Sequence, residues 1–298
     1  MKTAALLTFF LPGFLLAQNP DVVYHTPRQQ YGMPEEAPIE YILRGGSALR
    51  SAPSVDAALM ATLPAGQPVF IEEKGEDTLR LDGVLSHWYQ VTAGKHTGWT
   101  WGGNLAEFAF GSAADASVKF VAGLEHYRSA DEEPTNTIFR LVALRNGQEI
   151  DRLSVRSFAN DIELVRGLGN LGLREVDDVI VLTVPCYGGC GCTTGEVVVF
   201  WAGGRFHHVA DLMGSPDGDY STNVSFIFPS DMEGEAGIIL RRTSDYEDAE
   251  CDDADVEGAM PGNCIERIAR EERLAWNGTK LVLQGEPQER RYLMRTGN

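Results

Sequence analysis

The chain has 298 residues, 43% of them hydrophobic, and carries a formal net charge of −18 with an isoelectric point near 4.7. This length and composition are typical of a globular chain that buries a core, and they predict about two domains. The negative charge argues against nucleic acid or an anionic lipid surface as the main partner, because like charges repel.

The first forty residues predict an export signal followed by a tether. Residues 1–17 contain Lys2, an apolar run over residues 4–16, and Ala17 at the end. This pattern is typical of a secretory signal peptide, and the run is too short to span a hydrocarbon core of about 30 Å. Residues 18–40 are rich in Pro, Gln and Glu without a period, which predicts an extended tether. We therefore expect a secreted or periplasmic protein.

Residues 41–105 consist of short apolar segments separated by turns. The segments are rich in β-branched and aromatic residues, which predicts short strands in a small barrel. Four elements stand out: Ser-Ala-Leu-Arg-Ser-Ala-Pro-Ser at 47–54, Leu-Pro-Ala-Gly at 63–66, Trp-Tyr-Gln-Val at 88–91 and Gly-Trp-Thr-Trp-Gly-Gly-Asn-Leu at 98–105. Together they resemble a bacterial SH3-like domain of the secreted, cell-envelope kind. Four positions depart from the usual pattern of that family, and they are occupied here by Ser47, Leu49, Ala52 and Thr100.

The resemblance implies a small barrel that recognises a cell-wall peptide or a protein segment in the envelope. Alternation along a strand places Trp88 and Tyr89 on opposite faces. Trp99 and Trp101 share a face unless the chain turns between them, and the family's ending runs into a turn that the glycines at 102–103 supply here. We therefore predict that Trp88 and Trp99 lie in the core, and that Tyr89 and Trp101 are exposed and bind the peptide.

The rest of the chain predicts hairpins and hardly any helix. Alternating apolar segments flank turn-forming dipeptides, a strong hairpin signal. These dipeptides are Asn-Gly at 146–147, Gly-Gly at 203–204 and Asn-Gly at 277–278, and Asp-Gly at 82–83 predicts another hairpin inside the SH3-like segment. Residues 179–184 and 224–228 predict further strands, whereas residues 265–274 fit a helix or a strand.

The predicted protein is mainly β and has two domains. The N-terminal SH3-like small barrel occupies residues 41–105 and is followed by a linker at 106–117. A β-rich sandwich or barrel domain occupies residues 118–298, with no repeat regular enough for a propeller. Most of the excess acid lies beyond residue 105, so the second domain carries the acidity.

The five cysteines form two groups that we expect to be oxidised in an exported chain. Cys251 and Cys264 enclose an acidic loop, and a disulfide between them would stabilise the fold by about 3 kcal/mol. The other group is expected to form a Cys186–Cys192 or a Cys186–Cys190 bridge and to leave one thiol over. Cys190 and Cys192 are too close along the chain to bond easily.

Two kinds of metal site are the alternatives to these assignments. The thiols at 186, 190 and 192 with His207 or His208 are soft ligands for zinc, but they lack the usual Cys-x₂-Cys pair, and adjacent histidines on a strand point to opposite faces. The acidic residues between 245 and 257, and Asp211 with residues 217–219, supply oxygen ligands for calcium without matching a known loop pattern. We expect no cofactor, with calcium or zinc as the alternatives.

The sequence names no catalytic site. The glycines of residues 167–172 match a dinucleotide-binding pattern, but a β-branched segment follows where that motif needs a helix. We find no nucleophile elbow, zinc-protease helix or phosphate-binding loop motif. The favoured function is a secreted noncatalytic binding protein. The alternatives are an envelope hydrolase that the SH3-like part targets to its substrate, and a barrel that only docks on the second domain.

Overall fold

The computed structural model describes residues 23–24, 39–128, 136–157, 162–185, 194–217, 220–250 and 263–295. These residues form strands β1 to β20 in three sheets, with one 3₁₀ turn at Gly102–Asn104. The mainly β fold that the sequence predicts is confirmed. Within these ranges no helix is long and apolar enough to cross a membrane.

The N-terminal sheet contains the segments predicted to form the small barrel. Its strands run in the order β2-β5-β6-β7-β3-β4, and β1 pairs with β6. One face encloses a core of buried apolar residues from six segments: Ile42, Leu49, Leu63, Val69, Tyr89, Val91, Ala93 and Leu105. The strands are β1 Val23–Tyr24, β2 Ile39–Tyr41, β3 Ser47–Arg50, β4 Leu59–Leu63, β5 Pro68–Leu81, β6 Val84–Ala93 and β7 His96–Trp101.

The middle sheet follows, with the order β11-β10-β9-β8. Its strands are β8 Phe108–Gly111, β9 Val118–Arg128, β10 Asn136–Arg145 and β11 Gln148–Ser157. β8 lies inside the segment predicted as a linker, because Phe108 and Phe110 pack against the main core. The segment is also tied down by Asp178, which is fully buried and accepts a hydrogen bond of 2.9 Å from the backbone N–H of Ala113.

The C-terminal sheet has nine strands in the order β12-β13-β14-β15-β16-β17-β18-β19, and β20 also pairs with β18. Residues 265–274, which fitted either a helix or a strand, lie in β18 and pair with neighbours on both sides. The strands are β12 Leu164–Gly167, β13 Asp178–Val184, β14 Thr194–Ala202, β15 Arg205–Asp217, β16 Tyr220–Ile227, β17 Ile239–Glu250, β18 Asn263–Trp276, β19 Leu281–Leu283 and β20 Gln288–Arg295.

The predicted hairpins form at the predicted turns. Asp82 and Gly83 have φ of 51° and 78°, and Asn146 and Gly147 have φ of 52° and 79°. Two successive positive φ angles are the signature of the two-residue turn whose twist matches paired strands, and Gly, Asn and Asp tolerate them best. The glycines at 203–204 form the same turn between β14 and β15, and Asn277-Gly278 lies between β18 and β19.

The main core lies between the middle sheet and the first strands of the C-terminal sheet, which pack face to face as a sandwich. Phe120 on β9 contacts Trp201 on β14, with ring centroids 5.5 Å apart and an edge-on arrangement. A hydrogen bond also joins the two sheets, since the backbone N–H of Phe206 on β15 donates to the carboxylate of Asp151 on β11 at 2.8 Å. The opposite face of β13 and β14 packs on a second apolar cluster that includes Leu173, Phe228 and Ile239, so these two strands read as continuous apolar runs.

The N-terminal sheet packs directly on the middle sheet. Tyr41 accepts a hydrogen bond of 2.6 Å from the ammonium of Lys119, which also lies 4.0 Å from the centroid of the Tyr41 ring. A separate apolar cluster joins the two sheets: Leu43, Ala65, Ala106, Val121, Val142 and Leu144. Glu107, at the junction, accepts a hydrogen bond of 2.9 Å from the N–H of Leu124. The two sheets therefore share buried surface, which explains where several aromatic side chains lie.

Candidate binding surface

Both predicted contact residues are buried, so the expectation that they are exposed is wrong. Trp101 is 2% exposed and belongs to the main core together with Trp88 and Val84. Its indole N–H donates to the carbonyl of Leu79 at 2.9 Å, and the guanidinium carbon of Arg44 lies 5.5 Å from its ring. Tyr89 is 4% exposed and lies in the core of the N-terminal sheet. Neither side chain presents a surface to a peptide.

The reason lies in the docking of the two sheets. Trp88 pairs with Trp101 across β6 and β7, and Tyr89 pairs with Thr100, so alternation does place Trp88 and Tyr89 on opposite faces. Tyr89 points into the core of the N-terminal sheet, and Trp88 and Trp101 point outward. The main core covers the outward face at the end that carries Trp88 and Trp101. Side chains on both faces of β6 are therefore buried there.

Trp99 and Trp101 share the outward face, as simple alternation along β7 requires. The turn predicted at residues 102–103 is present as the 3₁₀ turn, but it begins only after Trp101 and does not carry that side chain out of the core. Trp99 is not a core residue but is half-buried at the margin of the covered region. Its ring lies over Gly75, where an added methyl carbon would come within 3.0 Å of it.

A row of side chains crosses the outward face at Trp99. Strand pairing places Trp99 beside Arg50 on one side and Gln90 on the other. The row continues to Leu59 on the edge strand β4, which is 59% exposed. Arg50 is itself held in place, because its guanidinium donates to the carbonyl of Ala57 at 2.7 Å.

A second row runs parallel to the first on the same face. Phe70 pairs with Thr92, and the hydroxyl groups of Thr92 and Thr97 lie 2.9 Å apart, which shows that both point the same way. Ile39 pairs with Phe70 at the other edge of the sheet. Phe70 is 41% exposed and Ile39 is 51% exposed.

We call the two rows the open face, consisting of Ile39, Arg50, Leu59, Phe70, Gln90, Thr92, Thr97 and Trp99. It alternates apolar side chains with hydrogen-bonding groups and contains one cation. Large exposed apolar side chains close together on a folded surface are typical of a binding site. A rigid aromatic group flanked by polar groups can supply both the contact area and the specificity for an extended peptide.

One carboxyl group lies on the inner side of this surface. Glu40, between Ile39 and Tyr41 on β2, is 8% exposed and pairs with the core residue Val69. Burial raises its pKa to about 8, because the ionised form loses its hydration inside the sheet. Near neutral pH this carboxyl is therefore largely protonated. Arg50 is the one cation of the open face, and the exposed Glu73 lies beside Gln90 at the end of the first row.

Most of the other predicted sites fall outside the described residues. Cys186, Cys190, Cys192 and Cys251 lie there, as does most of the acidic loop, so the disulfide pairs stay predictions. Cys264 is described and is 1% exposed on β18.

His208 forms a contact of 2.8 Å with Asp211, which raises the pKa of His208. Among the residues that the structure describes, no three His, Cys, Asp or Glu side chains lie close enough to hold a metal ion.

The glycines at 167–172 follow β12 and end in a turn that leads to β13. Leu171 and Gly172 have positive φ angles of 47° and 84°, and the side-chain oxygen of Asn170 accepts the N–H of Gly172 at 3.0 Å. This is a tight connection between two strands, without the helix that a dinucleotide site needs.

Residues 45–106 match the family model of the bacterial SH3 domain. The match covers the N-terminal sheet from before β3 to just past the 3₁₀ turn and confirms the resemblance noted in the sequence. No curated protein and no solved structure is significantly similar to the chain. A bacterial SH3 domain suggests a module for cell-wall binding or targeting.

Proposed function

We propose that this is an exported, noncatalytic binding protein whose bacterial SH3 domain recognises a cell-wall peptide or an envelope protein segment through the open face. The observation that supports the proposal is the half-buried Trp99, flanked by Arg50 and Gln90 and left uncovered where the neighbouring Trp101 is covered. The two ends of this sheet face therefore have different roles. One end docks on the rest of the protein, and the other is available to a ligand.

Arg50 on the open face suits an extended peptide that carries an acidic group. Arg50 is held by a backbone carbonyl in a fixed position, so binding costs little side-chain entropy. Trp99 lies on Gly75 and is equally constrained. A preorganised aromatic group next to a fixed cation is a typical centre of binding energy at an interface. Truncation of such a residue weakens binding by about 1–3 kcal/mol, or about 10- to 100-fold.

A sedimentation assay with purified peptidoglycan and the full mature protein tests the proposal. Trp99→Ala should weaken binding about 10- to 100-fold and leave the fold intact, since the side chain is only half-buried. Met232→Ala is the matched control, because Met232 is fully exposed and lies outside the SH3 domain. It should bind like the wild type.

Three outcomes would overturn the proposal. These are wild-type protein that stays in the supernatant, Trp99→Ala that binds as well as wild type, and a wall that releases soluble fragments during the incubation. The first favours a barrel that only docks on the middle sheet. The second places the contact away from Trp99. The third favours the hydrolase, with the SH3 domain as its targeting module.

A further inference from the structure

The far end of the C-terminal sheet carries a groove of about 350 Å³ that is lined by arginine on an otherwise acidic chain. Three adjacent strands form it: β17, β18 and β20. Its lining, which we call the arginine groove, includes Arg242, Ser244, Arg267, Ala269, Arg290 and Tyr292, together with one acidic residue, Glu271. It lies on other strands than the open face, and its function does not depend on the proposed function of the SH3 domain.

Strand register brings these side chains to one face. Ser244 pairs with Ala269, and Ala269 pairs with Arg290. In the next row, Tyr246 pairs with Arg267, and Arg267 pairs with Tyr292. Arg267 and Arg290 are therefore diagonal neighbours across β18 and β20, a position at which Cα atoms lie about 7–8 Å apart. The small Ala269 and Ser244 leave space beside the two guanidinium groups.

The arginines of the groove differ in whether nearby carboxylates balance their positive charge. Arg242 contacts Glu233 at 2.5 Å and Glu271 at 2.8 Å, so its charge is balanced within the protein. Within the described part of the chain, Arg267 and Arg290 have no carboxylate within ion-pair distance. Two such cations so close together repel each other, and a bound anion would relieve that repulsion.

Contacts within the protein fix the position of the Arg267 guanidinium at the groove. Its guanidinium carbon lies 5.6 Å from the ring centroid of Tyr246, and one terminal nitrogen donates to the hydroxyl of Ser244 at 3.2 Å. Its Nε is buried inside the protein, and its other terminal N–H groups remain for a ligand in the groove.

We propose that the arginine groove binds the oxyanion of a ligand, a carboxylate or a phosphate, between Arg267 and Arg290. The planar fork of a guanidinium matches two oxygens of either group, so each arginine donates two hydrogen bonds. The exposed ring of Tyr292, beside Arg267, offers an apolar surface to the part of the ligand that carries the anion.

Isothermal titration of the full mature protein with inorganic phosphate, and separately with glucuronate, tests the site. We expect one of the two probes to bind with one-to-one stoichiometry and to weaken as sodium chloride is added, because exposed charges are screened by salt. The probe that binds more tightly tells which oxyanion the site prefers.

Arg290→Gln should weaken binding of the better probe about tenfold or more, since it removes one bidentate partner. Arg291→Gln is the control: Arg291 precedes Tyr292 on the opposite face of β20 and is paired with Glu289 at 3.2 Å and Glu266 at 3.7 Å. It removes the same charge and should change the affinity less than about twofold.

Arg267→Lys adds a variant that keeps the charge and loses the fork, and it should weaken binding about fivefold or more. Unchanged melting temperatures of the Arg290 and Arg291 variants show that the fold is intact. The proposal is wrong if neither probe binds at concentrations of about 20 mM, well above the millimolar range of weak sites. It is also wrong if Arg290→Gln and Arg291→Gln reduce binding equally, because that result would indicate a diffuse charge effect.

Discussion

Trp101→Ala should destabilise the whole described fold and not the SH3 domain alone. Trp101 is 2% exposed and packs in the core that the N-terminal sheet shares with the rest of the sandwich. Truncation of a buried tryptophan costs about 3–5 kcal/mol through lost contacts and the cavity that remains. The lost indole N–H also leaves the carbonyl of Leu79 without that donor, which adds about 1 kcal/mol.

Differential scanning calorimetry and urea unfolding measure this effect. A loss of about 4–6 kcal/mol lowers the melting temperature by about 10 °C or more in a chain of this size. Trp101→Phe keeps most of the apolar contact and should cost only about 1–2 kcal/mol. Because Trp101 belongs to a shared core, we expect a single cooperative transition to move as a whole.

Trp99→Ala provides the comparison, since its ring is less buried than that of Trp101 and should contribute about 2–3 kcal/mol. A melting temperature that Trp101→Ala lowers no more than Trp99→Ala does would contradict the burial of Trp101 in the shared core. Two separate transitions in the Trp101 variant would also contradict it, because the SH3 domain would then unfold independently of the middle sheet.

The remaining predictions concern a buried carboxyl group and a covalent bond. The folded-state pKa of Glu40 is raised to about 8, above its unfolded value, so the folded protein binds the proton more tightly and stability falls as the pH rises from about 4.5 to 8. Urea unfolding at several pH values should show that Glu40→Gln removes up to about 1.4 kcal/mol of this loss per pH unit, and an unchanged slope would contradict the burial of the carboxyl. Mass mapping of the nonreduced mature protein should yield a peptide linked through Cys251 and Cys264, and two free thiols in oxidised protein would exclude that disulfide.

The local structure of this protein follows closely from local sequence. The dipeptides at 82–83, 146–147 and 203–204 form two-residue turns with positive φ because Asp, Asn and Gly are the residues that adopt them readily. The apolar run of β13 is buried on both faces, as such runs usually are. The ambiguity over residues 265–274 arose because β18 exchanges salt bridges and hydrogen bonds with neighbours on both sides, and its charged pattern carries little period.

The aromatic residues show where local reasoning ends. Period-two alternation alone predicts that Trp99 and Trp101 share a face, and the structure agrees. Alternation does not predict the second layer of the structure. This layer covers the end of the face that carries Trp101 and leaves the end that carries Trp99 open. Phe108 and Phe110, which convert a predicted linker into β8 and add to that covering layer, were the available signal in the sequence.

The sequence by itself therefore determined the mainly β fold, the turns and the bacterial SH3 domain, because these depend on residues close together along the chain. Only the tertiary structure decided which tryptophan is fully buried and which only half-buried, and which arginines lie without acidic partners. Arg267 and Arg290 are separated by more than twenty residues and become neighbours through the register of β18 with β20. Burial and ion pairing depend on such long-range contacts, and no local pattern of charge or hydrophobicity specifies them.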